Sequence, residues 1–418
     1  MKILVVGKGG REHAILDTLR KSPGNPSLFA CPGSDAISMM ATCFDFEDMD
    51  QLMDRIQTEA FDLIVAGEES YLAKGLADKC LKLNIPIWGP KQYAAQLETS
   101  KIFAKEFMTR HNIPTGGFTV VEDAESCRAA ISSYPTVLKY NGLAAGKGVA
   151  VCFNEAQAEE FIDMIFIQEK FGKDKVFVEE FLEGKEVSII CAITEDKYQL
   201  FTPARDYKRL GENDEGPNTG GMGAVATADL ISPELLAEIE ETCVKPTVAG
   251  LVKDELDYKG FLYFGVILTE DGPKLLEFNC RFGDPEAQAV LSMIEGDFAN
   301  FLLKGTQGEL DSSLLNIYAG WSICLVMASA GYPASSRSGD VISGLELMEH
   351  SKVFHAGTKR NAEGRYETNG GRVLAVVAKG ETRDQALASA MADRKKITFD
   401  GAQFRNDIAI MHFEEPVT

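Results

Sequence analysis

Ile3-Leu4-Val5-Val6 runs straight into Gly7-Lys8-Gly9-Gly10 and then into a helical stretch at 11–21. The same strand-then-helix order recurs through the first hundred residues. Short apolar runs at 27–30, 61–66 and 85–88 read as further strands, and 49–59 and 72–83 as the helices between them. Alternation of this kind predicts a parallel sheet with helices on both faces, an α/β unit over residues 1–100.

From Lys101 the texture changes. A helix at 101–111 ends at Asn112-Ile113-Pro114, because the residue before proline disfavours the helical region. Short strands at 118–121, 136–140, 149–152, 176–181 and 187–194, with helices at 122–133 and 155–168, predict a small α+β unit at about 115–190. A polar glycine-rich stretch, 206–223, precedes longer strands at 261–268 and 274–278. A polar break at 303–314 then separates strands at 321–328, 352–357 and 371–377 and a helix at 383–397. The division expected is an N-terminal domain 1–100, a central domain 101–310 and a C-terminal α+β domain 320–418.

With 63 acidic against 42 basic residues the formal charge is −21. Broad attraction to nucleic acid or anionic membrane is therefore not expected. No apolar run approaches the roughly 20 residues that span a bilayer, and no secretory pattern opens the chain. The nine cysteines are scattered without a CxxC pair, which predicts reduced, mostly buried thiols. The five histidines form no HExxH, and no GxSxG elbow occurs, so neither zinc hydrolysis nor a serine nucleophile has support. A cytoplasmic enzyme acting on small molecules is the class expected.

Five residue groups could carry chemistry. The turn Gly9-Gly10-Arg11-Glu12 opens a helix, where exposed N–H groups favour an anion and Arg11 adds a cation. Glu12 replaces the third glycine of a dinucleotide fingerprint, and no acid closes the second strand, which argues against a dehydrogenase. A tight turn with no ligand is the alternative. The loop Asn141-Gly142-Leu143-Ala144-Ala145-Gly146-Lys147-Gly148 fails the P-loop pattern and joins strand to strand, as a flap over triphosphate would. Lys139, in an apolar strand, is costly unless it meets an anion; a surface hairpin with a snorkelling lysine is the competing reading. Glu179-Glu180-Phe181-Leu182 followed by Glu186 could read an adenine edge and a ribose, or be acidic strand ends in water.

The sharpest signal is Glu277-Phe278-Asn279-Cys280-Arg281 before Gly283-Asp284-Pro285-Glu286. Alternation along a strand puts Glu277, Asn279 and Arg281 on one face. Carboxylate and amide oxygens suit a hard cation also held by phosphates, and Arg281 can hold a carboxylate with both arms. A structural Glu–Arg pair is the alternative. Asp206-Tyr207-Lys208-Arg209 and Gly216-Pro217-Asn218-Thr219-Gly220-Gly221 form a loop whose composition suits a polar, phosphorylated ligand.

In this order and spacing, Gly9 to Ala14, Gly142 to Val149, Gly216 to Ala224, Glu277 to Glu286, His355 to Thr358 and Thr368 to Val373 resemble the phosphoribosylamine–glycine ligase family of the ATP-grasp superfamily. The resemblance runs nearly end to end. It implies a pre-ATP-grasp domain, an ATP-grasp core with a hinged lid, and a C-terminal domain. It implies ATP-dependent ligation of glycine to 5-phosphoribosylamine in purine biosynthesis, by a monomer, with Mg²⁺ or Mn²⁺. ATP would be held by Lys101, Lys139, Gly142, Ala144, Ala145, Gly146, Lys147, Gly148, Glu179, Glu180, Phe181, Leu182 and Glu186, and the metal by Glu277 and Asn279. Phosphoribosylamine would lie near Gly9, Gly10, Arg11, Glu12, Glu69, Asn218, Thr219 and Gly220, with Asp284, Pro285 and Glu286 at the substrates. Glycine would lie near Asp206 and Arg281, with Lys139, Arg281 and Asp206 acting in catalysis. The chain departs from the family pattern at Asn141, usually Asp, and at Tyr207, usually His. A carboxylase of the same superfamily shares the nucleotide half, and a non-catalytic nucleotide sensor would lack Glu277, Asn279 or Lys139.

Overall fold

A computed structural model describes residues 1–142, 148–172 and 174–410. The expected calls on Ala144, Ala145, Gly146 and Lys147 fall outside them. β1 (Lys2–Gly7) is the middle strand of a five-stranded parallel sheet. It is followed by α1 (Gly10–Leu19), β2 (Ser27–Pro32), β3 (Thr42–Cys43), α2 (Met49–Glu59) and β4 (Leu63–Ala66). α3 (Glu69–Ala73), α4 (Leu76–Lys82) and β5 (Ile87–Trp88) complete the unit. The pleat sends Ile3 and Val5 into a core with Ala14, Ile15 and Leu19 of α1, and Leu4 and Val6 into one with Leu52 and Ile56 of α2. Covered on both faces, the strand needs an unbroken apolar run. The helix expected at 72–83 is interrupted: Gly75, at φ +78°, turns the chain between α3 and α4.

A short α5 (Gln96–Thr99) leads to α6 (Lys101–Arg110), capped by Ser100. Then β6 (Phe118–Val121), α7 (Ala124–Ala130), β7 (Thr136–Tyr140), β8 (Val149–Cys152), α8 (Glu155–Ile162) and β9 (Val176–Glu180) build an antiparallel sheet in the order β6-β9-β7-β8. The strand at 187–194, grouped with this unit in the sequence reading, belongs elsewhere. As β10 (Lys185–Thr194) it enters a nine-stranded sheet. So do β11 (Lys197–Leu200), β12 (Ala204–Asp206) and β13 (Gly223–Ala226). After α9 (Pro233–Ile239) and α10 (Lys245–Lys253) come β14 (Lys259–Thr269) and the edge strand β15 (Gly272–Asn279).

α11 (Glu286–Ser292) is buried throughout, wedged between the large sheet and α1. The polar break expected at 303–314 is partly helix: β16 (Ile294–Gly296) is followed by α12 (Phe298–Thr306). Its Phe298 and Phe301 are fully buried among aromatic neighbours, which hold a turn of helix that polar flanks alone do not suggest. β17 (Leu315–Ile317) precedes β18 (Trp321–Ala328), β19 (Lys352–His355), β20 (Thr358–Arg360), β21 (Tyr366–Thr368), β22 (Arg372–Gly380) and α13 (Arg383–Arg394). β18 pairs with β13, so β18, β22 and β19 extend the central sheet rather than starting a separate one. All nine cysteines are free thiols, eight of them buried. Among the described residues no helix is long and apolar enough to cross a membrane.

Candidate active site

Two joined recesses lie between the small and large sheets. One, of about 510 Å³, is lined by Lys101, Lys139, Asp206, Lys208, Glu277, Asn279, Arg281 and Glu286 among others. The other, about 500 Å³, has apolar walls from Val137, Val151, Phe181, Leu182, Ile267 and Leu276, with Glu186 and Lys208 at its rim. Lys139, Asp206, Lys208 and Glu277 face both. One end thus suits a flat aromatic base and the other a chain of anionic groups.

The β7–β8 pairing, Lys139 opposite Val149, makes the glycine-rich segment a strand-to-strand connection, as its sequence suggests. Lys139 does meet an anion, but an internal one: Glu179, itself 2% exposed, contacts both Lys139 and Lys105. Lys101 sits at the start of α6, and its ammonium donates to the Gly142 carbonyl at 3.2 Å. Burial lowers the Lys101 pKa, Glu277 opposes that, and Lys139 adds to it. Two half-buried lysines pressing on each other favour an anion between them. Asn141 caps α6 by accepting from the Ile102 N–H at 3.0 Å, and its amide donates to Asp174. An aspartate there would face Asp174 with a like charge, which accounts for the amide.

On β15, Phe278 and Cys280 are buried while Glu277 is exposed and Asn279 half-buried, so the strand alternates as its sequence predicts. Glu277 forms no salt bridge among the described residues. A carboxylate and an amide oxygen on one face, opening onto the cleft, fit a hard divalent cation. No group of three or more His, Cys, Asp or Glu able to hold a metal occurs among the described residues. Phosphate oxygens and water suit the remaining positions of such an ion.

Arg281, two residues past the end of β15, sits inside an ion-pair ladder. Its guanidinium reaches Glu98 at 2.8 Å and Glu69 at 3.1 Å, and Glu69 lies 3.8 Å from Arg11. Burial pushes the Glu98 carboxyl up to about 7 despite Arg281. Asp206, at the end of β12, has an Oδ1 that is buried with no hydrogen-bond partner among the described residues. Burial, with Glu286 nearby, raises its pKa well above the usual carboxylate range. An orphaned carboxyl facing a cleft is ready for a cationic or hydrogen-bond-donating ligand group. Burial opposes charge on Lys208, yet Glu186, Tyr263 and Glu277 outweigh it and raise its pKa.

The opening turn is built differently from the anion cradle its sequence suggests. Glu12 folds back: its Oε2 accepts from the Gly9 N–H at 2.6 Å and its Oε1 takes Arg11 Nε at 2.7 Å. The anion at this helix start is therefore the chain's own, and Arg11 is spent on Glu12 and on the Phe282 carbonyl. Gly9, Gly10, Arg11, Glu12 and Pro285 do not line the two recesses. Gly10 instead lets α1 approach α11, since a Cβ there would meet Gln288 Nε2 at 2.6 Å. Arg11→Ala leaves Glu12 buried and unpaired, and the expected result is a loss of roughly 3–5 kcal/mol in stability. Chemical denaturation measures it; an unchanged midpoint refutes the pairing.

Asp284 is held by Gln288 at 2.8 Å and by Arg372 at 3.4 Å. Arg372 also contacts the Gly220 carbonyl, and the Gly220 N–H donates to the Tyr332 hydroxyl at 2.8 Å. The glycine-rich loop is therefore shaped by the last hundred residues. Tyr207 points away, buried with its hydroxyl accepting from the Ala409 N–H at 3.0 Å. The sequence reading assigned no role to Lys105, Glu98, Arg372 or Tyr332, and named Lys208 only as part of a loop suited to a polar, phosphorylated ligand. Lys105 had a signal, standing four residues after Lys101 on the same helix face; Glu98 and Tyr332 had none.

His13 and His355 join the first and last parts of the chain, the His355 N–H donating to His13 Nδ1 at 3.1 Å. Burial lowers His13 to about 4 and His355 to about 3. A histidine whose pKa falls on folding contributes fully above its unfolded value near 6.5 and is a growing liability as pH drops towards the folded value. Roughly 3–5 kcal/mol per ring is at stake over the full titration. Glu98 titrates in the same window with the opposite sign. The expected result is a fall in Tm from pH 7 to 5 that is shallower in His13→Gln; equal slopes in the two proteins exclude the pair as its source.

Two sheets closing on a cleft with lysines from both sides define the ATP-grasp class of fold. The biotin carboxylase domain of the Hydrogenobacter thermophilus 2-oxoglutarate carboxylase, solved with MgADP and bicarbonate, superposes at TM-score 0.71, covering 96% of this chain and 91% of that one at 17% identity. Within that class the relationship is narrower. Models of the N domain, the ATP-grasp (A) domain and the C domain of phosphoribosylglycinamide synthetase match residues 1–98, 99–287 and 322–411. The chain belongs to the phosphoribosylglycinamide synthetase family. The Thermotoga maritima phosphoribosylamine–glycine ligase structure matches at TM-score 0.85 and 32% identity over 98% of this chain and 100% of that one. Phosphoribosylamine–glycine ligase of Caldanaerobacter subterraneus subsp. tengcongensis is 39% identical over 98% of this chain and 99% of its own length. The trifunctional purine biosynthetic protein adenosine-3 of Drosophila melanogaster is 40% identical over 99% of this chain and 32% of its own length.

Proposed function

We propose that this chain joins glycine to 5-phosphoribosylamine at the expense of ATP, giving glycinamide ribonucleotide, ADP and phosphate. The observation that carries the reading is the single cleft in which an apolar recess, two phosphate-facing lysines, the Glu277/Asn279 oxygens and Arg281 converge. Adenine fits between Val137, Phe181, Leu182, Ile267 and Leu276, with Glu186 at the ribose. Lys101 and Lys139 face the phosphates. Mg²⁺ or Mn²⁺, when bound by Glu277 and Asn279, neutralises phosphate charge.

A carboxylate is a poor acyl donor because oxide leaves badly. The glycine carboxylate, oriented by Arg281, attacks the γ-phosphorus; the P–O bond to ADP breaks, and glycyl phosphate results. The amine of phosphoribosylamine then attacks the acyl carbon, the C–O bond to phosphate breaks, and the amine sheds one proton. Asp206 and Glu286 face the ammonium of glycine and are placed to receive that proton. Asn218, Thr219, Gly220 and Asp284 border the phosphosugar, with Glu69 steadying Arg281; Gly9 to Glu12 support this side from behind. Positioning and fixed positive charge supply the rate, and closure of the small sheet keeps water from the acyl phosphate. The working unit proposed is a monomer. We further propose that the expected division at about residues 100 and 310–320 separates the phosphosugar-side, nucleotide and clamping parts.

The deciding assay measures ADP release by the purified protein with both glycine and phosphoribosylamine, with the product identified by mass. Release that needs bicarbonate in place of glycine would favour a carboxylase instead.

A further inference from the structure

We propose that Glu179 is a positioning residue: it holds Lys139 in the cleft and, through Lys105 and Thr115, fixes the small sheet against the strand that carries Glu277 and Asn279. Glu179 lies on β9 and Lys139 on the neighbouring β7, both in the small sheet, whereas Lys105 is on α6 outside it. The two carboxylate oxygens are divided, one to each ammonium. Lys105, 2% exposed, donates onward to Thr115 Oγ1 at 2.5 Å. The Thr115 hydroxyl donates to the Leu275 carbonyl at 2.6 Å, and the Leu275 N–H donates to the Pro114 carbonyl at 2.7 Å. Leu275 is two residues before Glu277. A run of ion pairs and hydrogen bonds therefore leads from the phosphate-facing lysine to the metal-facing strand.

The charge count explains why a buried carboxylate belongs there. Two ammonium groups against one carboxylate leave one positive charge in excess, and both lysines line the cleft. An arriving polyphosphate shares Lys139 without stripping Glu179, because Lys105 still pairs it; a fully unpaired buried charge would be costly. The same corner is stitched by backbone: the Glu180 N–H donates to the Gly117 carbonyl at 2.9 Å, and the Gly117 N–H to Glu180 Oε2 at 3.1 Å. The segment 114–117 is where the chain passes from α6 into the small sheet. Glu179 thus sets both the aim of Lys139 and the angle at which the small sheet meets β15.

This inference rests on the nucleotide reading of the cleft, so calorimetry of MgADP with the unaltered protein comes first; no binding there sinks the function itself. Steady-state kinetics and MgADP binding of Glu179→Gln, Glu179→Asp and Lys105→Met then test the positioning role. The expected result for Glu179→Gln is a fall of about 100-fold in kcat/KM for ATP, the size of effect a 1 Å misplacement produces. The KM for glycine should move less than about threefold, since the affected group acts on the nucleotide side. Glu179→Asp should restore at least a tenth of the lost efficiency, and Lys105→Met should show the same ATP-side bias. Parent-like ATP kinetics in Glu179→Gln overturn the proposal. So do equal losses for ATP and glycine, or an aspartate variant no better than the glutamine one. Should Glu179→Gln fail to fold, Lys105→Met decides by the same split, because Glu179 keeps Lys139 as its partner there.

Discussion

Glu277→Ala is expected to reduce turnover to below about one-thousandth of the parent while the protein keeps its fold, a loss of roughly 4 kcal/mol from the transition state. The side chain is exposed and forms no salt bridge among the described residues, so its removal breaks no direct ion pair there. What disappears is a carboxylate beside Asn279, in a cleft whose lysines already repel one another. Without it, a divalent cation loses its charged protein ligand, and the phosphoryl group transfers against uncompensated negative charge. Glu277→Gln, which keeps an oxygen but not the charge, falls between the two. Paired measurements of kcat and Tm check this; near-parent kcat at ordinary Mg²⁺ removes Glu277 from the metal site.

Arg281→Lys carries the second large effect. Lysine preserves the charge, but a single ammonium cannot reach Glu98 and Glu69 together and still present a flat pair of donors to a carboxylate. Glu98 is buried at the base of the cleft, and leaving it unpaired costs about 3 kcal/mol of stability. The kinetic expectation is more specific: kcat/KM for glycine falls by about two to three orders of magnitude, and KM for ATP changes little, because the lost interaction belongs to the carboxylate that reacts. If the variant lost stability yet used glycine as the parent does, Arg281 would be a structural tie between α5 and β15 and nothing more.

Most strands and helices were legible because their causes are local. The β1 run, the alternation of Glu277, Phe278 and Asn279, and the strand-to-strand character of the flap follow from periodicity and turn chemistry over a few residues. Where local causes were weak, the reading failed. Gly75 splits a helix that its apolar spacing joins, aromatic packing holds Phe298–Thr306 helical across a stretch that reads as a polar break, and residues 185–194 are claimed by β14 rather than the nearer small sheet.

The sequence by itself determined most element types, the two-sided burial of the first sheet, and some of the groups that face the cleft, Lys101, Lys139, Glu277 and Asn279 among them. Tertiary structure alone decided which charges are open and which are spent. Arg11 and Lys139 look equivalent in the sequence as cations beside glycine-rich turns; in the fold the first is neutralised by Glu12, whereas the second shares Glu179 with Lys105 and still lines the cleft. Charge is written in composition, but its availability depends on partners up to hundreds of residues away. Coulomb energy is set by distance and burial in space, and chain order fixes neither.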